Sequence, residues 1–207
     1  MLRHTAKIIS LLAQPLLMPI YSMLYVLYAN TPWSFLPASY KAHVMLFAGI
    51  GTSLLPLIVL IFFVAFKHVS DIELSNPRER KIPLIISLII TALTIFLSRN
   101  FIELPLPILG IILGEMLMLI CAIFVTPFWK ISMHGMGTGG CTIFVILIGC
   151  ISRIDFSSFA TISIAVSGFV GWARLYLRAH SPSQVLVGYA VGILLMWIGI
   201  YIVATIL

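Results

Sequence analysis

Long apolar runs constrain this chain more than any other feature, because they recur along its whole length. About 20 consecutive apolar residues are enough for a helix to cross a membrane. Only 9% of the residues are charged, whereas an ordinary soluble domain carries about 25%. The sequence therefore predicts an all-α, polytopic membrane helix bundle. The runs that qualify are 8–28, 43–66, 82–98, 104–128, 136–151, 156–173 and 185–207.

These runs predict six or seven transmembrane helices in a single membrane domain, 1–207. The first run contains Pro15 and Pro19, so we expect it to be bent or partly re-entrant. Its basic start is similar to a signal peptide, but no A-x-A cleavage pattern follows, which favours an uncleaved first span. The run 136–151 is short and rich in glycine. The longest polar stretch, 67–81, has the size of a loop.

Three polar loops fall on one face if the chain crosses the membrane at every run. They are also the loops richest in basic and histidine residues, so we expect one basic cluster on that face. Their approximate ranges are 67–81, 129–135 and 174–184.

The loop charges leave the orientation in the membrane open. All but three of the twelve Lys and Arg residues fall on the face just described, and the positive-inside rule would make that face cytoplasmic. If six of these residues build a site, however, three free basic residues remain on each face. The three on the opposite face are Lys41, Arg99 and Arg153.

The net charge of +6 does not indicate nucleic acid as a partner, because the basic residues are spread among the loops. Membrane lipids and an anionic substrate are better partners. No H-E-x-x-H pattern occurs, and the histidines lack ligand spacing. We therefore expect no metal and no cofactor, and the sequence does not define the oligomeric state.

The segment FWKISMHGMGTGG, 128–140, places Lys130, Ser132 and His134 before a glycine cluster that opens a helix. Exposed N–H groups at a helix start, together with a lysine, suit an anion. The alternative is that the aromatic and basic residues only anchor the span at the membrane interface.

Two further basic segments lie on the same face. SNPRERKIP, 75–83, carries Arg78 and Arg80 before a span, where basic residues usually contact lipid headgroups. ARLYLRAHSPSQ, 173–184, carries Arg174 and His180. Arginine presents a planar fork of donors to phosphate oxygens, and histidine can serve as a nucleophile or proton donor. Together these groups suit a phosphate ester without requiring a metal.

The chain resembles the type 2 phosphatidic acid phosphatase superfamily over roughly 67–207. That family carries the motifs K-x6-R-P, P-S-G-H and S-R-x5-H-x3-D. The third fits in spacing, with Arg174, His180 and then Gln184 in place of the aspartate. The second fits in part, as Ser132 and His134 in ISMH. The first fits poorly, with Arg80 near a proline in RERKIP.

The resemblance implies that His180 is a nucleophile that forms a phosphohistidine and that His134 protonates the leaving group. It also implies a group of phosphate-binding residues, to which we add Lys130 in place of the missing first-motif lysine. Gln184 can orient the nucleophilic imidazole, but it cannot stabilise imidazolium as a carboxylate would; Asp71 is another carboxylate on this face. The phosphate-binding residues are Arg174, Ser132, Arg80, Lys130 and Arg78.

The resulting expectation is an integral membrane phosphatase for a lipid phosphate monoester or diphosphate. The resemblance implies a bacterial inner membrane and a site that faces the periplasm. The alternative is a non-catalytic binder or carrier of an anionic lipid, which has no obvious need for both histidines. Elsewhere, Gly188 and Gly192 favour close helix packing. Glu115, inside a span, is expected to be paired internally, although a carboxylate buried in a span is also a candidate functional residue.

Overall fold

A computed structural model describes residues 1–206, which form a bundle of α-helices with no β-strand among them. The predicted all-α class is confirmed. Six helical segments are long and apolar enough to cross a membrane, or seven if one bent pair counts as a span. The helices are α1 Leu2–Leu12, α2 Met18–Tyr28, α3 Ala38–Gly49, α4 Leu55–Ala65, α5 Lys81–Phe101, α6 Leu106–Val125, α7 Met133–Ser152, α8 Ser157–Tyr176 and α9 Pro182–Ile206.

The first apolar run is bent, as its prolines predict. Helix α1 and the segment Pro15–Tyr28 meet at an angle of 43°, because Pro15 has no N–H to continue the hydrogen bonding of α1. Helices α3 and α4 form one 28-residue span through a π-helical turn, Ile50–Leu54. Helix α7 has 20 residues, so the short glycine-rich run is part of a full-length span.

Helix α9 packs directly on α7 through glycine. A Cβ atom on Gly192 would lie 2.0 Å from the carbonyl oxygen of Met136, and one on Gly188 would lie 2.6 Å from that of Ser132. These distances are too short for any side chain, so the two backbones touch, and the predicted close packing is confirmed. The contact holds the start of α9 against the start of α7, where the candidate site lies.

Gly192→Val should therefore destabilise the protein strongly, because the two helices would have to separate. Overpacking of this kind costs about 3 kcal/mol, which chemical unfolding in detergent can measure. Gly168→Val is the matched control, since a Cβ on Gly168 of α8 would meet nothing within 4 Å. Equal losses from both variants would contradict the packing argument.

Candidate active site

The three predicted loops meet at one end of the bundle. Arg80 Nη1 donates a 3.1 Å hydrogen bond to a backbone carbonyl of the loop before α7. The backbone N–H of Ser132 donates to the carbonyl oxygen of Gln184, at 3.3 Å. Arg174, near the end of α8, forms a 2.7 Å ion pair with Glu73. These contacts confirm that the loops converge, as hydropathy alone predicted.

Two buried arginines provide the positive charge of the cluster. The side chains of Arg80 and Arg174 are only 1% and 2% exposed. Arg80 donates from Nε to the carbonyl oxygen of Leu74 at 2.7 Å, and no carboxylate among residues 1–206 lies within ion-pair distance of it. The buried Nε of Arg174 has no hydrogen-bond partner within the same residues. A buried charge is costly unless it is paired, so both guanidinium groups retain capacity for an anion.

Burial and the neighbouring positive charges both lower the pKa values of basic groups in the cluster. Burial is the main cause that lowers the pKa of Arg80 to about 10; the charge of Arg174 adds to the effect and Asp71 opposes it. Burial also lowers the pKa of Lys130, with both arginines contributing. Arg80 stays protonated at neutral pH despite the shift. An anion bound between these groups would relieve their mutual repulsion.

His180 is held in one tautomer by the start of α9. The Oε1 atom of Gln184 lies 3.1 Å from the backbone N–H of Ser181 and 3.1 Å from Nδ1 of His180. A backbone N–H can only donate, so this atom of Gln184 is the amide oxygen, and it must accept from Nδ1–H of the neutral imidazole. The Nε2 atom of His180, which has no hydrogen-bond partner within residues 1–206, therefore carries the free lone pair.

His180 is also neutral at pH 7. Burial is the main cause that lowers its pKa to about 4. The charges of the two arginines and Lys130 act in the same direction, and the hydrogen bond that His180 donates to Gln184 opposes them. A neutral imidazole with an unprotonated Nε2 can act as a nucleophile.

Ser132 is the N-cap residue of α7, and His134 lies in the first turn of this helix. The hydroxyl oxygen of Ser132 caps this helix by accepting from the N–H of Gly135 at 3.2 Å, which leaves its O–H free to donate. Nε2 of His134 lies 3.1 Å from the carbonyl oxygen of Ser10. A carbonyl only accepts, so Nε2 carries the proton, and Nδ1 is unprotonated when the ring is neutral.

Sequence reasoning missed two residues that contact the cluster, Ser10 and Glu73. Ser10 is completely buried; its carbonyl contacts His134 and its hydroxyl accepts from Arg174 Nη1 at 3.2 Å. Glu73 holds the same Nη1 with its carboxylate. Neither lies in a motif, and α1 is distant from the site in the sequence. Only the packing of α1 on α8 brings Ser10 there.

The remaining predicted residues are placed less centrally. The side chain of Arg78 is exposed and makes no hydrogen bond within residues 1–206, so its contact with phosphate stays a prediction. Lys130 is partly buried and close enough to the arginines for its pKa to respond to them. Asp71 accepts from the backbone N–H of Ser75 at 3.2 Å; the carboxylate on Arg174 belongs to Glu73.

The site and the fold together describe a polytopic α-helical membrane protein with a basic, histidine-containing cluster at one end of its bundle. No group of three or more His, Cys, Asp or Glu side chains within residues 1–206 could hold a metal ion. The chain matches no protein-family model, no curated protein and no solved structure. What can be said about its function therefore rests on the site itself.

Proposed function

We propose that the protein is an integral membrane phosphatase that hydrolyses a lipid phosphate monoester or diphosphate through a phosphohistidine. The observation that carries the proposal is the neutral His180, whose unprotonated Nε2 lies among cationic groups with few counter-charges. A nucleophile in a cluster that favours phosphate is the arrangement that phosphoryl transfer requires. A bacterial inner membrane with the site on the periplasmic side completes the proposal and rests on the family resemblance.

The proposed reaction has two steps. Nε2 of His180 attacks phosphorus and forms an N–P bond while the P–O bond to the lipid breaks; His134, which must enter the step doubly protonated, donates its Nδ1 proton to the leaving oxygen. Water then attacks the phosphohistidine and gives its proton to His134, which releases phosphate and restores neutral His180. Arg80, Arg174 and the Ser132 hydroxyl would hold the phosphoryl oxygens, whose charge must be neutralised throughout.

Binding or carriage of an anionic lipid is the second candidate. The neutral partner of His180 favours it, because the amide of Gln184 supplies no charge to stabilise imidazolium. Both candidates require the same basic cluster, so only turnover separates them.

Purified protein should release phosphate from at least one member of a lipid panel in the presence of EDTA. The panel contains phosphatidate, phosphatidylglycerol phosphate and a polyprenyl diphosphate. Binding of a lipid phosphate without release of phosphate from any of them would favour the binder instead.

Gln184→Asp should raise turnover and shift its pH dependence. A carboxylate favours imidazolium, so the acidic limb of the rate profile, which should lie near the parent His180 pKa of about 4, moves to higher pH. Recovery of about 1.4 kcal/mol of transition-state stabilisation corresponds to about tenfold in rate. Gln184→Ala should fall below the parent, because His180 loses its orienting acceptor.

Ser183→Asp is the control for this experiment, since it adds the same charge one residue away, on an exposed side chain. If Gln184→Ala equals the parent at every pH, Gln184 orients nothing, and the proposed role is wrong.

Glu73→Gln should tighten the binding of inorganic phosphate or vanadate. The change removes the charge that competes for Arg174, and a gain of about 1.4 kcal/mol would lower the inhibition constant about tenfold. Glu79→Gln is the matched control, because Glu79 lies in the same loop but accepts from Ser70 and Asn76. Weaker anion binding in Glu73→Gln would show that the carboxylate instead holds Arg174 in place for the anion.

A further inference from the structure

A cavity extends from the candidate site into the interior of the bundle. Its volume is about 100 Å³. His134 and Glu73 line it at the site end, and Glu115 and Met196 line it deeper in the bundle. The cavity therefore borders the candidate site at His134 and Glu73, while Arg80, Arg174 and His180 do not line it.

The walls of the cavity are mostly apolar. Leucine, methionine and proline side chains form most of its lining, and the bend after α1 contributes Pro15 and Leu16. Cys141 and Ser87 also line it, but the Ser87 hydroxyl already donates to the carbonyl oxygen of Pro83 at 2.9 Å. Such a lining suits a hydrocarbon chain.

Glu115 differs from the polar residues at the site end because it lies deeper in the bundle and has no partner in the described part of the chain. Its side chain is only 8% exposed, and its Oε2 is buried without a hydrogen-bond partner among residues 1–206. The expectation that Glu115 is paired internally is therefore wrong. A buried carboxyl group without a partner is costly whether it is ionised or protonated, so Glu115 retains capacity for a hydrogen bond with a ligand.

The position of Glu115 defines where that ligand group would lie. Glu115 is ten residues before Val125, the last residue of α6, and the loop after α6 belongs to the candidate site. At 1.5 Å per residue, the carboxyl group is about 15 Å from that end of the helix. If an amphiphile bound with its anionic head in the basic cluster, carbons in the middle of its hydrocarbon chain would lie beside Glu115.

We propose that the cavity binds the single hydrocarbon chain of an anionic amphiphile and that Glu115 accepts a hydrogen bond from a hydroxyl group within that chain. This inference rests on the proposed function for the position of the headgroup. It goes beyond that function by assigning a binding site to the hydrocarbon chain of the lipid. It predicts that a lipid with a hydroxyl at the right depth binds more tightly than its unsubstituted analogue.

Direct binding of non-hydrolysable single-chain lipid phosphonates tests this without requiring turnover. The series carries one hydroxyl group at successive carbons of an otherwise identical chain. One position should bind about three- to tenfold more tightly than the unsubstituted lipid, as one hydrogen bond allows. If no hydroxyl position in the series increases the affinity of the lipid over that of the unsubstituted analogue, the inference is wrong.

Glu115→Leu should abolish the preference for the hydroxylated lipid, and Glu115→Gln, which keeps an acceptor and the side-chain volume, should retain it. Ser87→Ala is the control for a neighbouring polar group and should also retain it. A preference that persists in Glu115→Leu overturns the assignment to Glu115. If the parent shows the preference but releases no phosphate from any lipid, the chain assignment stands and the phosphatase proposal fails.

Discussion

His180→Asn should reduce phosphate release at least about 1000-fold, because removal of a covalent nucleophile eliminates the pathway that it serves. The amide of asparagine is close in size to imidazole and can still donate to Gln184, whose Oε1 now accepts from His180. The folded structure should therefore survive. Steady-state phosphate release and thermal unfolding, measured on the same preparation, check both statements.

His4→Asn is the control for this substitution. His4 lies on α1 with an exposed side chain and should tolerate the change without loss of rate. If His180→Asn retained turnover near that of the parent, the nucleophile would have to be sought elsewhere.

Arg174→Lys should reduce turnover about 100-fold or more, even though the charge is kept. The guanidinium group of Arg174 already divides its donors between Ser10 and Glu73 and leaves Nε free. Lysine has a single ammonium group and cannot present a planar fork to phosphate. Loss of one donor to developing charge costs about 100- to 1000-fold in rate.

Arg178→Lys provides the matched comparison. Arg178 follows Arg174 by four residues, but its side chain is exposed and makes no contact with the site among residues 1–206. The rate of Arg178→Lys should equal that of the parent. Equal effects of the two substitutions would mean that Arg174 contributes only charge at the membrane surface.

Hydropathy predicted the helical class and the convergence of three loops because both follow from the spacing of apolar runs. If the chain crosses the membrane at every apolar run, the order of the runs alone determines which loops share a face. This prediction therefore needs no knowledge of side-chain geometry. The contact of His180 with Gln184 is local as well, because His180 lies two residues before α9 and Gln184 lies in the first turn of that helix. The hydrogen bond between them follows from local structure.

The contacts of Ser10 and Glu73 could not be predicted in the same way. Ser10 is separated from Arg174 by 164 residues and Glu73 by 101, and no periodicity links positions so far apart. Likewise, a carboxyl at position 115 can be recognised in a sequence as buried. Whether it has a partner depends on how the surrounding helices pack, and the structure places it on a cavity instead.

The stereochemical course of hydrolysis tests the central claim most directly. A lipid phosphorothioate made chiral at phosphorus with heavy oxygen isotopes would be hydrolysed in isotopically labelled water by the parent protein. Attack by His180 and then by water gives two in-line displacements, and each inverts the configuration at phosphorus. The account predicts net retention. Net inversion would mean that water attacks the lipid phosphate directly, and it would contradict a phosphohistidine at His180.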